Sequence, residues 1–231
     1  YIMIFYKKIL FFLIFLMILL VSYKNYFSYN DTIHYFNVDI SNSEYLFDLL
    51  DKKGFTKNPQ KNFNNSSCKV FNYIDISNNC NELLRYFNNE SFLLKIKTII
   101  NEKNLYYMDH NTEPLNIAMQ LYQENDFMSY HFDTNFTMGA RYTVLIPLYI
   151  NDKNESFLTI KDKNKNEKKI AIKVGEAIVY NGDKVIHKVS KQAKDGKRIT
   201  LIINLTTNPN FSLIGTFLQK IRNFMFIHYT W

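Results

Sequence analysis

The segment YQENDFMSYHFD, residues 122–133, ends in an imidazole and a carboxylate two positions apart, within a run that otherwise reads as a strand. Along a strand successive side chains alternate faces, so His131 and Asp133 share one side while Tyr130 and Phe132 take the other. Two groups able to bind a metal therefore converge on one point. A lone H-x-D also fits a half-buried histidine beside a surface carboxylate, and short motifs match often by accident. The pair has to be read with the rest of the chain.

Outward from that pair, the chain from Leu115 to Leu205 keeps a period of two. Residues 115–123, 127–133, 141–150, 156–162, 168–175, 176–182 and 198–205 read as short strands punctuated by Asn, Asp and Gly. That pattern predicts a two-sheet jelly roll or barrel. The lysine-dense KDKNKNEKK, residues 161–169, fits the solvated tip of a hairpin. Upstream, residues 31–114 read as helical support. A helix over 41–54 is signalled by Ser41 three residues before Glu44, by apolar residues at 45, 46, 49 and 50, and by Gly54 where a C-terminal cap sits. Residues 80–88 and 91–103 carry a 3.6-residue pattern, interrupted by Asn88 and Asn89. Helices followed by strands give an α+β chain with a jelly-roll core.

With 231 residues and 47% hydrophobic content, the chain is long enough for one good-sized core and at most a small accessory lobe. Six glycines and four prolines leave little material for repeats or long flexible linkers. The net charge of +7 admits an anionic partner. The lysines, however, are scattered through Asn-, Ile-, Phe- and Tyr-rich sequence, which argues against nucleic acid.

Residues Ile9 to Val21, ILFFLIFLMILLV, follow the pair Lys7 and Lys8 and a further apolar patch, YIMIFY. The inner run alone spans about 20 Å, short of the roughly 30 Å hydrocarbon core. With residues 1–6 included and the lysines snorkelling, it is long enough to cross a membrane. A basic n-region and an apolar h-region also describe a cleaved signal peptide, but the exit VSYKNYFSYN offers no small-residue cleavage pair. The expectation is a signal-anchor over residues 1–23, with the domain in the lumen of the endoplasmic reticulum or a similar compartment. Cleavage would instead release a secreted domain. An oxidising lumen lets Cys68 and Cys80 form a bridge, and two free thiols are the alternative.

A second histidine stands in YNGDKVIHKVS and an arginine follows eleven residues later in DGKRITL. With His131 and Asp133, these supply two imidazoles, one carboxylate and one fixed cation, all on strands or strand ends. Two histidines and a carboxylate on one face of Fe(II) leave three positions open, enough for a bidentate co-substrate and O2. A strand-borne arginine suits a carboxylate, which its planar fork binds through two hydrogen bonds.

The order H-x-D, about fifty residues, H, about ten residues, then R-x-S/T resembles the iron(II)- and 2-oxoglutarate-dependent dioxygenases, most closely the prolyl 4-hydroxylase-like branch. YQENDFMSYHFD is similar to that branch's Y-x-x-G-D-F-L-x-x-H-x-D segment, with Asn125 where glycine is usual. Asparagine tolerates a left-handed turn better than other non-glycine residues. KVGEAIVYNGDKVIHKVSKQAKDGKRITLIINL resembles the family's second half, with a turn glycine at Gly175 and the G-x-R strand at Gly196 and Arg198. The resemblance covers roughly residues 115–207.

The resemblance implies a double-stranded β-helix (jelly-roll) core in which His131, Asp133 and His187 bind Fe(2+) and Arg198 pairs with the far carboxylate of 2-oxoglutarate. Thr200, on the same strand face as Arg198, is implied as its helper. Tyr122 is implied as a 2-oxoglutarate contact or a neighbour of one, a sheet-core aromatic being the alternative. Lys197 is the rival for Arg198, because the spacing from His187 is one residue longer than usual. O2 is the implied co-substrate, and the resemblance leaves room for ascorbate. The implied reaction is hydroxylation of a C–H bond, with a peptidyl proline or lysine as the substrate class. A nucleic-acid oxidative demethylase of the same iron class is one alternative, although such enzymes carry a second arginine where this chain has Asn204. A non-catalytic membrane-anchored binding module is the other. The chain departs from the family at NDKNESF, residues 151–157, where a glycine-rich turn is usual, so the substrate groove near Glu155 has its own shape. Expected limits are 1–23 for the anchor, 24–114 for a stalk and helical support, 115–207 for the catalytic core and 208–231 for an apolar, helical C-terminal segment.

Overall fold

The computed structural model describes residues 32–41, 43, 46 and 67–226. The apolar run Ile9–Val21 lies outside them, as does most of the helix read over 41–54. Among the described residues no helix is long and apolar enough to cross a membrane.

Two antiparallel sheets form the core. The larger takes the order β1-β9-β6-β11-β4-β2, with β3 also paired to β11. Its strands are β1 (Ile33–Asn37), β2 (Lys69–Phe71), β3 (Tyr106–Tyr107), β4 (Ile117–Tyr122), β6 (Arg141–Ile150), β9 (Glu176–Asn181) and β11 (Arg198–Thr206). The smaller sheet has the order β5-β10-β7-β8, built from β5 (Met128–His131), β7 (Leu158–Lys161), β8 (Glu167–Ile170) and β10 (His187–Val189). The lysine-dense stretch is the β7–β8 turn, as its composition suggested, with Lys161 opposite Glu167 and Asp162 accepting from the backbone of Asn164 and Asn166.

β11 shows how sequence sets the two faces. Ile199, Leu201, Ile203 and Leu205 point to one side and pack with the helical residues Phe87, Phe92, Leu93 and Ile96. Arg198, Thr200, Asn204 and Thr206 alternate with them and are buried on the other face. A strand covered on both sides normally carries apolar residues throughout. Polar side chains in the inward register therefore mark a site, and the apolar fill between the sheets comes from Leu145, Leu158, Ile178, Tyr180 and Val189.

β6 keeps both faces served by means of a bulge. Its pairing with β11 jumps from Tyr149 opposite Ile199 to Pro147 opposite Thr200. Proline has no N–H to give to a ladder, so a bulge beside it loses little. The skipped Leu148 joins Tyr149 in the helix-side core and its carbonyl accepts from the Ser43 N–H at 2.9 Å.

The support region holds α1 (Tyr73–Asn79), α2 (Asn81–Phe87) and α3 (Glu90–Ile100). Asn72 and Asp75 form a reciprocal capping box at the start of α1. The polar pair Asn88 and Asn89 separates two helices because Asn89 caps α3, its side chain accepting from the Phe92 N–H at 2.9 Å. The same region also contributes β1, β2 and β3, which the helical reading of residues 31–114 did not anticipate. They are two to five residues long, too short to display a period, and β1 and β3 find their partners on β9 and β11, far along the chain. Cys68 and Cys80 do not form a bridge, and both are buried, the first in the inter-sheet cluster and the second under the helices.

α4 (Leu213–Phe226), the last described element, turns its polar side inward. Arg222 donates to Glu113 at 2.5 Å, and the side-chain amides of Gln219 and Asn223 donate to the Thr112 carbonyl at 2.9 and 2.8 Å. Leu213, Ile214 and Phe217 face outward. Glu113 is buried between Arg222 and Arg141, the latter 3.5 Å away. Burial opposes its charge, but the two arginines outweigh burial and hold its carboxyl below the ordinary value of 4.5. Glu113→Ala leaves two cations without their shared partner, and breaking such a buried pair costs about 3–5 kcal/mol. Urea unfolding should show that loss. Because the folded pKa is depressed, the wild-type contribution is fully present above about pH 4.5 and fades as pH falls through the folded value. A stability–pH profile should therefore steepen below that point in wild type and flatten in the variant.

Candidate metal and co-substrate site

The small sheet brings the predicted metal-binding residues together. His131 ends β5, His187 begins β10, and the two are direct cross-strand partners. Their rings lie 4.2 Å apart between centroids. β5 stops at His131, but the Asp133 N–H still pairs with the Gly182 carbonyl at 2.9 Å, which holds the carboxylate in position. Asp133 Oδ1 is 3.8 Å from His131 Nε2 and 3.7 Å from His187 Nε2. Among the described residues, these three form the one cluster whose ligand atoms all lie within 4.8 Å of one another. The His187 side chain is 6% exposed, whereas those of His131 and Asp133 are 18% and 17% exposed, so the cluster opens to solvent on their side.

Backbone carbonyls fix both tautomers. His131 Nδ1 is 2.8 Å from the Ser129 carbonyl and His187 Nδ1 is 3.0 Å from that of Val185. A carbonyl only accepts, so each Nδ1 carries the proton and each Nε2 lone pair faces Asp133. Burial, together with neighbouring His187, pushes the His131 pKa down to about 4, which keeps its ring neutral near pH 7. Burial also disfavours the Asp133 charge, yet His187, Arg141, His131 and the Thr143 hydroxyl together hold that carboxyl below its ordinary value. Two imidazoles and one carboxylate are the donor set that Fe(II) takes in facial sites.

The next ring of contacts was not legible in the sequence. Thr143 donates to Asp133 Oδ2 at 2.5 Å, while Arg141 donates to the Thr134 carbonyl at 2.5 Å and so clamps the peptide after Asp133. A Cβ on Gly182 would collide with the Thr143 hydroxyl and the Asp133 carboxylate, so only glycine fits there. The available signal was modest: Arg141 and Thr143 are polar residues in the otherwise apolar run RYTVLIPLYI. Tyr180 is a further missed residue. Its hydroxyl is 3.3 Å from His187 Nε2, and burial, then the Asp133 charge, pushes its phenol well above the ordinary value.

A cavity of about 150 Å³ lies between the sheets, sized for a small organic acid. Val189, two residues along β10 from His187, and Leu145, two along β6 from Thr143, place it beside the metal cluster. Arg198 and Thr200 both line it, together with Gln120 and Ser156. The Arg198 guanidinium sits 4.6 Å over the Tyr122 ring and makes one long bond, 3.5 Å, to the Ser156 carbonyl. Its Nε is buried without a partner. A buried cation with an unused donor, facing a cavity of this size, fits a carboxylate.

Tyr122 lies behind Arg198 rather than among the cavity-lining residues, and its hydroxyl donates to Gln120 Oε1 at 2.9 Å. Lys197 is not among the lining residues either, which favours Arg198 over its rival. Asn125 adopts φ 68° and Gly175 φ 88°, the left-handed turns expected of them. Asn204 donates its side-chain amide to the Leu115 carbonyl at 2.6 Å, so no second cation stands at that position.

No protein-family model matches the chain, and no curated protein matches it. Solved structures do. A prolyl 4-hydroxylase from Pseudomonas putida is 12% identical over 75% of this chain and 91% of its own, with a TM-score of 0.52. A prolyl hydroxylase from Trichoplax adhaerens, solved with a peptide fragment of the hypoxia-inducible factor, is 16% identical over 80% and 86%, with a TM-score of 0.53. The non-heme α-ketoglutarate-dependent epimerase SnoN of nogalamycin biosynthesis is 9% identical over 79% of each chain, with a TM-score of 0.57. The fold is that of the 2-oxoglutarate and Fe(II) oxygenases.

Proposed function

We propose that the protein is an Fe(II)- and 2-oxoglutarate-dependent dioxygenase that hydroxylates a peptidyl proline or lysine. The observation that carries this reading is the convergence of His131, Asp133 and His187 beside a cavity where buried Arg198 keeps an unpartnered donor. The fold supports it, and so does the peptide bound by the Trichoplax enzyme.

Each protein group then has a defined task. His131 and His187 would hold the cation through their Nε2 lone pairs and Asp133 through one negative oxygen. Thr143 and Arg141 keep the Asp133 carboxylate aimed and ionised. Arg198 takes the far carboxylate of 2-oxoglutarate, and the apolar walls contributed by Leu145, Leu158, Ile170 and Val189 keep water out. When bound, iron with 2-oxoglutarate supplies the O2-dependent oxidation that inserts one oxygen into a C–H bond and releases succinate and CO2.

Substrate class is tested by incubating the full chain with Fe(II), 2-oxoglutarate and a peptide library containing proline and lysine, then reading oxygen addition by mass spectrometry. The expected product is hydroxyproline or hydroxylysine. Oxidation of methylated nucleic acid with untouched peptides would instead favour the demethylase reading.

The proposal includes a signal-anchor over residues 1–23 with the catalytic domain in the lumen, supported by the apolar run after Lys7 and Lys8. The chain should stay with membranes through alkaline carbonate washing and be protease-protected in intact microsomes. A soluble form beginning near residue 24–30 would point to a cleaved signal peptide.

A further inference from the structure

Tyr180 has no task in the scheme above. It lies on β9 directly opposite Thr143 of β6, the residue whose hydroxyl holds Asp133. Its ring is 1% exposed, packs in the inter-sheet cluster and meets the His187 ring nearly edge-on, 5.2 Å between centroids. Since His187 Nδ1 gives its proton to the Val185 carbonyl, Nε2 has only a lone pair to offer, and the 3.3 Å contact is a bond from the Tyr180 hydroxyl to that lone pair.

That lone pair is the one His187 offers to a cation. A cation there takes it and leaves a buried hydroxyl in need of another acceptor, because interiors rarely leave such a donor unpaired. The neighbouring protein oxygens each have one engagement already: Asp133 Oδ2 accepts from Thr143, and Oδ1 faces the two Nε2 atoms as the third ligand atom. An oxygen of a bound co-substrate would be an acceptor with no such engagement. We propose that Tyr180 is a co-substrate-binding residue: with the site loaded, its hydroxyl moves from His187 Nε2 to an oxygen of the 2-oxo acid that chelates the metal. The inference rests on the dioxygenase reading. It adds a second anchor for 2-oxoglutarate, at the metal end of the molecule, to the one Arg198 supplies at the far end.

The bond formed in the loaded site is charge-assisted, and the one it replaces in the cation-loaded site without 2-oxoglutarate goes to a neutral water, so the hydroxyl favours the acid over water. Tyr180→Phe keeps the ring and its packing and removes only the hydroxyl. The test uses the full chain loaded with Mn(II), a redox-silent probe, with Mn(II) and 2-oxoglutarate titrated calorimetrically into wild type and variant. The expected result is Mn(II) affinity within about twofold of wild type and 2-oxoglutarate affinity about ten- to a hundredfold weaker, the range of one hydrogen bond to a charged group. On unaltered protein, 2-oxoglutarate should also produce a near-ultraviolet tyrosine difference spectrum that Tyr180→Phe abolishes. Equal 2-oxoglutarate affinity in the two proteins overturns the role of Tyr180 while leaving the dioxygenase reading intact. A loss confined to Mn(II) affinity does the same, because it makes the hydroxyl a support for the ligands. Wild-type protein that binds Mn(II) but no 2-oxoglutarate overturns both.

Discussion

Asp133→Ala should abolish succinate formation and weaken Fe(II) or Mn(II) binding by at least about 100-fold. Losing a group that merely orients a ligand typically costs roughly 10–100-fold in metal affinity, and Asp133 is the sole carboxylate of the three-residue cluster, so its removal belongs above that range. The carboxylate is also what makes the pocket attractive to a cation at all, because it is the one negatively charged group among the three and a ligating imidazole brings no charge of its own. Thr143, which now donates to Asp133, can turn to Asn204 Oδ1, 3.3 Å away, so the variant should fold. Equilibrium dialysis against Mn(II), with a melting curve as the control for folding, measures the effect. Cation binding at wild-type strength in a folded Asp133→Ala protein would remove the cluster from consideration as the metal site.

Arg198→Ala should leave cation binding nearly unchanged and raise the apparent KM for 2-oxoglutarate steeply. The guanidinium is buried against Tyr122, with one long bond to Ser156 and an Nε that has none, in a residue that lines the cavity. Truncating one member of a buried charge pair costs roughly 2–5 kcal/mol, which at about 1.4 kcal/mol per decade is about 30-fold or more. Lys197→Ala should do far less, because successive residues of a strand point to opposite faces and the cavity is lined by Arg198 and Thr200. Succinate release measured over a 2-oxoglutarate titration of both variants decides between them. A steep effect in Lys197→Ala alongside a near-normal Arg198→Ala would hand the role to the lysine.

What the sequence made legible follows from how local each signal is. β6 was readable to the residue, because ten consecutive residues carry a clear strand composition that ends at polar Asn151 and Asp152. β8 ends at Ile170, although the apolar alternation continues through Ile172, which packs on the inter-sheet cluster from outside any strand. β10 is only three residues long and could be placed only through its histidine. β1 is a stretch of five residues whose partner β9 lies some 140 residues away, and no local pattern announces such a pairing. α4 looked apolar, but Leu213, Ile214 and Phe217 face outward, and only the position of Glu113 explains why the polar side is buried.

The site divides in the same way. His131, Asp133, His187 and Arg198 were readable because their chemistry is carried by residue type and spacing, and the structure brings the first three together beside the cavity that the fourth lines. Thr143, Gly182 and Tyr180 act through contacts with residues seven to about fifty positions away. A threonine in a strand or a glycine in a turn has an ordinary local explanation, so only the assembled fold distinguishes these from their neighbours.

The central claim is that this cavity and cluster work as one Fe(II) and 2-oxoglutarate site. Its most direct test is succinate release by the full chain, with and without Fe(II), in wild type and His131→Ala run side by side. The account predicts succinate only in wild type and only with Fe(II), formed in step with hydroxylated peptide. Succinate formed equally without iron, or undiminished in His131→Ala, would contradict it.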